Sequence, residues 1–202
     1  GKAVRLDGTD DFINMGDASP LKITGTAITV SAWVRHDSDS FKNWEFIAGK
    51  GDSTYRLSLC GGTSLCHGGA TLNGFVFAIN DGSNLSVGSS IVPVTGRWYH
   101  VAATYDGTIA RLYVDGVQSA TDSYSLSINN DTREFYIGEN SQTTGRQWTG
   151  AIDEVRVYNR VLTATEISAL YGAGSAKFTT PSSTGLVGYW SMDDATSTIV
   201  SD

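Results

Sequence analysis

Apolar and polar residues alternate along most of this chain, which is the pattern of half-buried β-strands. Residues 27–34 place Ile28, Val30, Ala32 and Val34 on one face of a predicted strand. Similar alternation predicts strands within 54–59, 74–79, 98–105, 110–114, 135–138 and 151–159. In the last of these segments, Asp153 and Glu154 interrupt the pattern and indicate a β-bulge.

Asp-Gly pairs punctuate the strand segments and predict tight hairpin turns, because they accept positive φ angles easily. They stand at Asp81-Gly82, Asp106-Gly107 and Asp115-Gly116. Residues 97–121 are therefore expected to form a three-strand meander with two tight turns.

A single helix is predicted late in the chain. Thr163 and Glu166 have the spacing of a capping box, apolar residues follow at helical spacing, and Gly172 is a natural end. Many short strands with one late helix predict an all-β antiparallel two-sheet sandwich, and we expect the helix to close one end of it. Periodicity alone leaves open an immunoglobulin-like sandwich or a jelly roll.

Composition narrows the class of protein. The 202 residues are 40% hydrophobic and 17% charged, which suits one domain with a sizeable core and argues against disorder. The net charge of -7 repels phosphate backbones, so we expect no nucleic-acid partner. No apolar run approaches the roughly 20 residues of a membrane helix, so no membrane insertion is expected. Because the sequence starts at Gly1 without a signal peptide, we expect an excised segment of a longer protein.

Two cysteines, Cys60 and Cys66, flank a short Gly-rich stretch. A disulfide between them would place the protein in an oxidising, extracellular setting, and two unpaired thiols on facing strands are the alternative. His67 follows directly, but two Cys and one His are too few ligands for a structural zinc site.

Six segments, in this order along the chain, resemble the laminin-G-like (LamG) branch of the concanavalin A-like jelly rolls. They are LDGTDDFINMGD (6–17), ITVSAWV (28–34), IAGKGD (47–52), GRWYHVAATYDGTIARLYVDGV (96–117), FYIGEN (135–140) and GAIDEVRVYNRVLTATEISALYG (150–172). The resemblance implies an antiparallel jelly-roll sandwich, usually with a calcium ion, in extracellular or cell-surface proteins. It does not fix the ligand, because this fold hosts lectins, carbohydrate-binding modules, adhesion modules and glycosidases.

The chain departs from the LamG pattern at its ends. Such domains usually open with a strand like GLVGYW, and here GLVGYWSMDD stands at 185–194, after a polar linker at 172–184. We interpret 1–171 as the body of one LamG-like module, and 185–202 as the opening of the next in a tandem array. We expect 185–202 to complete the sheet of the same domain, with pairing to a neighbouring molecule as the alternative.

An acidic cluster near the start is the candidate metal site. Asp7, Asp10 and Asp11 surround a Gly-bearing turn, and carboxylate oxygens suit a structural Ca²⁺ ion. The LamG resemblance implies that Asp153, at the expected bulge, joins Asp7 and Asp10 as a ligand. The alternative is that the aspartates only form the turn.

Aromatic and polar residues in loop-like segments form the candidate ligand site. Sugars stack on exposed aromatic rings and hydrogen-bond to polar side chains. We expect a groove formed by Trp44, Tyr55, His67, Asn73, Asn140, Arg146 and Trp148. Scattered surface positions are the alternative interpretation.

Two functions remain after catalysis is set aside. No Glu-x-Asp-x-x-Glu run provides the paired carboxylates of a glycosidase, so we expect no enzyme activity. The leading hypothesis is a calcium-stabilised, extracellular carbohydrate-binding module that binds a polysaccharide or glycan, with affinity raised by repetition. The alternative is a spacer or adhesion repeat that contacts a protein partner or neighbouring repeats.

Overall fold

The computed structural model describes residues 2–62, 70–79, 86–176 and 181–193, and it contains two stacked antiparallel sheets and one helix. This confirms the predicted all-β jelly-roll class. The elements are β1 Val4–Asp7, β2 Ile13–Asn14, β3 Ile28–His36, β4 Glu45–Gly49, β5 Tyr55–Cys60, β6 Gly74–Ile79, β7 Ser86–Gly88, β8 Trp98–Tyr105, β9 Ile109–Val114, β10 Val117–Ser123, β11 Tyr136–Ile137, β12 Thr149–Tyr158, α1 Ala164–Ala176 and β13 Leu186–Trp190, with a 3₁₀ turn at Ser19–Leu21.

The first sheet has the order β1-β12-β3-β8-β9-β10, and β13 also pairs with β12. The second sheet has the order β2-β11-β4-β5-β6-β7. The core lies between them, because the alternate residues Val30, Val34, Leu57, Phe77 and Leu112 all point into one buried apolar cluster.

The predicted meander is confirmed. β8 pairs with β9, and β9 pairs with β10, both antiparallel. Asp106 accepts hydrogen bonds from the backbone N–H groups of Thr108 and Ile109 at 2.9 and 2.7 Å, which fixes the first turn. At the second turn Asp115 and Gly116 have φ angles of 51° and 78°. Asp81-Gly82 lies outside the described residues.

The helix begins as predicted but ends later. The Thr163 N–H donates to Glu166 Oε2 at 2.8 Å, and the Glu166 N–H donates to Thr163 Oγ1 at 3.2 Å, which is a capping box. The helix continues past Gly172 to Ala176, and the ring of Tyr171 stacks on Trp33 of β3 at 5.6 Å.

The helix does not close an end of the sandwich, as the sequence had suggested. It covers the outer face of the first sheet, where Ile167 and Leu170 pack with Ala102, Tyr113 and Tyr158 in a second buried cluster. These three sheet residues alternate with core residues and so point away from the core.

Two segments share one edge of β12. β1 pairs with its first half, from Val4 opposite Ile152 to Asp7 opposite Thr149. β13 pairs with its second half, residues 155–158. The predicted bulge lies between these halves, since the register shifts after Asp153 and Glu154 has a φ of 51°.

Side-chain contacts add to the pairing of β13 with β12. Trp190 is partly buried and stacks on the buried ring of Phe135, with centroids 5.1 Å apart. Tyr189 is exposed, and its hydroxyl donates to Glu154 at 2.9 Å. The first part of the predicted linker 172–184 is helical, because α1 continues to residue 176. Residues 177–180 and 194–202 lie outside the described part.

We predict that Trp190→Ala lowers the free energy of unfolding by about 2 kcal/mol, less than for a fully buried Trp because the ring is only partly buried. Tyr189→Phe is the matched control on the same strand, and should cost less than about 1 kcal/mol because it removes one exposed hydrogen bond. Urea unfolding of both variants measures the difference. Equal stability of the two variants would contradict the docking of β13 through Trp190.

Asp153 gives a pH-dependent prediction. Burial raises the pKa of its carboxyl to about 6; repulsion from Glu154 and Asp193 adds to this, while a hydrogen bond from the Glu154 N–H opposes it. The folded state therefore holds this proton more tightly than the unfolded state, and its contribution to stability is lost as the pH rises from about 4 through 6.

Asp153→Asn removes this titration. At pH 8 the variant should be more stable than the parent by about 1–2 kcal/mol after allowance for solvent screening, and at pH 4 the two should match within about 0.5 kcal/mol. Chemical denaturation at the two pH values checks this. A constant difference would contradict the buried, repelled carboxyl.

Candidate functional site

The structure separates the expected groove residues into core and surface. Trp148 is fully buried, and its indole N–H donates to the carbonyl of Arg35 at 3.2 Å. Tyr55 is 1% exposed, and its hydroxyl donates to the carbonyl of Leu21 at 2.8 Å. Both rings are parts of the core and offer no face to a ligand, so their predicted binding role is corrected.

One other expected residue, Asn73, lies directly before β6. Asn73 is partly exposed with a φ of 67°, and its backbone N–H donates to the carbonyl of Cys60 at 2.5 Å. His67 and Cys66 lie outside the described residues. Cys60 is buried at the end of β5, and its disulfide with Cys66 stays a prediction.

Two of the remaining three residues, Asn140 and Arg146, bind a carboxylate that the sequence did not single out. The third, Trp44, lies beside Arg56, another partner of that carboxylate. Asp52 follows β4 in the turn to β5, and its side chain is 8% exposed. Arg146 Nη1 donates to Asp52 Oδ1 at 2.7 Å, and Asn140 Nδ2 donates to the same oxygen at 3.0 Å. Thr143 Oγ1 donates to Oδ2 at 3.1 Å.

Arg56 completes this cluster from β5. Its Nη1 lies 3.3 Å from Asp52 Oδ1. The signal that could have identified it is its place in the strand: between Tyr55 and Leu57, which face the core, Arg56 faces outward. One buried carboxylate thus joins two guanidinium groups from distant parts of the chain.

The loop at residues 139–146 is folded around a second buried carboxylate. Glu139 accepts the backbone N–H groups of Asn140 at 2.7 Å, Arg146 at 3.1 Å and Gly145 at 3.3 Å. The carbonyl of Arg146 accepts the N–H of Phe46 at 2.8 Å, which attaches the loop to β4. The side chain of Arg146 is therefore positioned before any ligand arrives.

Trp44 is the partly exposed aromatic ring of this cluster. Its φ is 57°, a conformation that bulky residues rarely adopt. The guanidinium carbon of Arg56 lies 6.0 Å from its ring centroid, within range of a cation–π contact. Such strain persists only where the surroundings hold it, and it is concentrated at functional sites. We call Trp44, Asp52, Arg56, Asn140 and Arg146 the Asp52 cluster.

The structure divides the predicted calcium ligands. Asp7, Asp10 and Asp11 bring carboxylate oxygens within 4.8 Å of one another. Asp11 also accepts the N–H of Asp7 at 2.9 Å, so the group forms its own turn. Asp153 is not part of it. The register places Asp7 opposite Thr149, four residues and about 13 Å along β12 from Asp153.

The acidic turn contacts the segment that precedes Trp44. Lys42, two residues before Trp44, donates its ammonium to the carbonyl of Gly8. Its backbone N–H donates to the buried carboxylate of Glu45 at 2.7 Å. The segment that carries Trp44 therefore rests on the acidic turn.

Among the described residues, no helix has the length and apolar character to span a bilayer.

Solved structures share this fold. An inferred carbohydrate-binding protein from Bacteroides ovatus matches 93% of this chain and 50% of its own length, at 22% identity and a TM-score of 0.71. Domain 4 of AbnA, an extracellular arabinanase from Geobacillus stearothermophilus, in complex with arabinotriose, matches 85% of this chain and 77% of its own length, at 22% identity and a TM-score of 0.63. The binding domain of botulinum neurotoxin DC in complex with SialylT matches 80% and 39%, at 14% identity and a TM-score of 0.57.

These identities establish a common fold and no more. This chain spans half the length of the Bacteroides ovatus protein. Comparison with curated proteins finds no match. Residues 7–168 match the Laminin_G_3 family model, so the chain belongs to the concanavalin A-like lectin/glucanase superfamily, in its laminin-G-like branch.

Proposed function

We propose that this chain is a non-catalytic, extracellular carbohydrate-binding module of a multidomain or tandem-repeat protein. The observation that carries the proposal is the Asp52 cluster, in which a partly exposed tryptophan lies beside polar groups held in place by a buried carboxylate. The carbohydrate-binding structural neighbours support it, and the extracellular arabinanase supports the location.

Binding would combine stacking with hydrogen bonds. The face of Trp44 offers a platform for the apolar C–H face of a sugar ring. Among the described residues, the guanidinium of Arg146 donates to Asp52 through Nη1. The Arg146 side chain is 20% exposed, so the other N–H groups of its guanidinium are available to sugar hydroxyls. Because Asp52 and Glu139 already hold the arginine and its loop, little conformational entropy is lost on binding.

The carboxylates near Trp44 support a non-catalytic role. A glycosidase needs two carboxyl groups that flank the bond, one of them able to donate a proton. Asp52 accepts hydrogen bonds from Arg146, Asn140 and Thr143, and Glu139 accepts three backbone N–H groups. Both groups are occupied in holding loops and are 5% exposed or less, so neither serves as acid or nucleophile.

We also propose a structural calcium ion at Asp7, Asp10 and Asp11. The proximity of their carboxylates supports it, together with the preference of Ca²⁺ for oxygen ligands. The ion would stiffen the turn on which Lys42 and the Trp44 segment rest.

One observation favours the second candidate function, a protein-adhesion module. Five of the six large apolar side chains that are exposed in the described residues lie on three neighbouring segments: Leu72, Ile91, Val92, Val94 and Val117. Hydrogen bonds of Ser89 with Thr71 (3.2 Å) and Ser119 (2.7 Å) tie these segments together. Exposed apolar patches are typical of protein contacts.

We predict that Trp44→Ala weakens glycan binding at least about tenfold, since a stacking platform contributes more than about 1.4 kcal/mol. Trp98→Ala is the matched control, because Trp98 is also partly exposed and stacked on an arginine, Arg35 at 5.4 Å, but lies on the other sheet. A glycan array that includes arabinotriose, followed by titration calorimetry, measures both variants.

Retention of every array glycan by Trp44→Ala would reject the site. Silence of the folded parent on the whole array would favour the adhesion function instead. Val94→Asp should then abolish protein contact through the apolar patch while leaving the fold intact, because Val94 is 61% exposed.

We predict that excess Ca²⁺ raises the melting temperature. At a concentration of 100 times the Kd, binding should add about 2.7 kcal/mol to the free energy of unfolding. The double change Asp10→Asn with Asp11→Asn should abolish the rise, and Asp122→Asn, an exposed acid on β10, should leave it intact. Identical melting of the parent with Ca²⁺ and with chelator would rule out the ion.

A further inference from the structure

Two aromatic rings lie side by side on the outer face of the second sheet. Tyr136 of β11 points outward, because Phe135 and Ile137 on either side of it belong to the core. Phe12 directly precedes β2, and its ring stacks on the Tyr136 ring with centroids 4.7 Å apart. Both residues are partly exposed. The pair therefore presents apolar ring surface to solvent at this end of the sheet.

A carboxylate and an amide flank the two rings. Glu134 is exposed, and its Oε2 accepts hydrogen bonds from the Tyr136 hydroxyl at 3.1 Å and from Asn14 Nδ2 at 2.9 Å. Asn14 is also exposed and stands opposite Tyr136 in the pairing of β2 with β11. A carboxylate has two oxygens with two lone pairs each, and an amide has two N–H donors, so both groups keep capacity for sugar hydroxyls.

The same outward row connects the rings to the Asp52 cluster. Tyr136 pairs with Gly49 of β4, and Gly49 pairs with Arg56 of β5. Because neighbouring strands are about 4.8 Å apart, the backbones at Tyr136 and Arg56 are about 10 Å apart. Gly49 has no side chain, so β4 places no side chain of this row between them. The two positions are therefore within reach of one short oligosaccharide.

Loops cover a different part of this face. Phe46, Ser58 and Val76 form an outward row across β4, β5 and β6, and all three are 0% exposed. A Cβ added at Gly88 of β7 would lie 2.2 Å from the Cβ of Ala70, so the segment at residue 70 lies on the face there. The rings at the β2–β11 end, in contrast, keep part of their surface exposed.

The charge around the two rings is negative. Asp10 and Asp11 directly precede the ring at β2, and Glu134 lies beside the ring on β11. The neighbouring cation in the sequence, Arg133, is bridged to Asp131 at 3.2 Å. Such a field repels carboxylate and sulfate groups. The rings are therefore suited to neutral sugars.

The Tyr136 hydroxyl acts as a hydrogen-bond donor. Burial raises its pKa above the ordinary value, and the hydrogen bond to Glu134 and the charges of Glu134 and Glu139 raise it further. The hydroxyl therefore keeps its proton at neutral pH and holds the ring against Glu134. A ring that is fixed in this way loses little conformational entropy when a sugar packs on it.

Building on the proposed function, we propose that Phe12, Asn14, Glu134 and Tyr136 form a second subsite, for a neutral glycan whose chain continues across β4 to the Asp52 cluster. A sugar ring packs on the exposed aromatic surface. Its hydroxyl groups donate to Glu134 and accept from Asn14. The surrounding carboxylates exclude acidic sugars from the subsite.

Calorimetric titration of neutral and acidic oligosaccharides tests the subsite. The neutral probes are arabinotriose, xylotetraose and cellotetraose, and the acidic probes are sialyllactose and trigalacturonate. For the neutral probe that binds best, Tyr136→Ala should raise the Kd about tenfold, because it removes a packed aromatic ring. Tyr136→Phe keeps the ring and should raise the Kd less than about threefold.

Tyr189→Ala is the matched control. Tyr189 is also exposed, and its hydroxyl also donates to a glutamate, Glu154, but it lies on β13 of the first sheet. This variant should bind the neutral probe as the parent does. Glu134→Gln is a second variant at an exposed position, where the fold is least at risk, and should raise the Kd about fivefold by weakening a charge-assisted hydrogen bond.

The outcomes separate this subsite from the proposed function. Neutral binding that is lost in Trp44→Ala but unchanged in folded Tyr136→Ala and in Glu134→Gln would overturn the subsite and leave the proposed function standing. Tighter binding of the acidic probes than of the neutral ones would do the same. If the folded parent bound none of the probes and no glycan of the array, the proposed function would fall, and the subsite with it.

Discussion

The candidate site depends on one buried carboxylate. Asp52 joins Arg56 of β5 to Arg146, Asn140 and Thr143 of a loop about ninety residues further along the chain. Gln142 adds a second tie, because its side-chain oxygen accepts the N–H groups of Asp52 and Ser53 at 3.0 and 2.9 Å. Without the carboxylate, the guanidinium of Arg146 and the side chains of Asn140 and Thr143 would lose the acceptor that they share.

The sandwich makes this arrangement possible by covering its two outer faces differently. On the first sheet, α1 packs through Ile167 and Leu170 and leaves the face filled. On the second sheet, loops provide the cover, and their polar side chains face solvent at its top. Functional residues on loops that rest on rigid strands are the common arrangement for binding proteins. The strands hold the loops in place, and the loops carry the polar side chains that could contact a ligand.

The elements that were predicted correctly are those whose signal is local. The meander follows from Asp106-Gly107 and Asp115-Gly116, and the helix start follows from Thr163 and Glu166. The helix end was placed too early, because the stacking of Tyr171 on Trp33 is a tertiary contact that propensity does not contain.

The site was predicted only in part, for the same reason. Trp148 stands after a polar loop and so looked exposed, yet it packs edge-on against His36 at 5.2 Å in the core. Asp52 carries no local signal, because its partners are distant in sequence. Asp153 was wrongly grouped with Asp7, since only the strand register shows that Asp7 lies opposite Thr149, four residues along β12 from Asp153.

The most direct test of the account uses the five tryptophans as separate reporters. Each indole N–H gives its own signal in a ¹H–¹⁵N correlation spectrum, and the signals are assigned by Trp→Phe variants. On titration with the best glycan from the array, the account predicts a large shift at Trp44 and little change at Trp33, Trp98, Trp148 and Trp190. A shift centred on Trp98 or Trp190, with Trp44 unmoved, would show that the glycan binds elsewhere and would contradict the site.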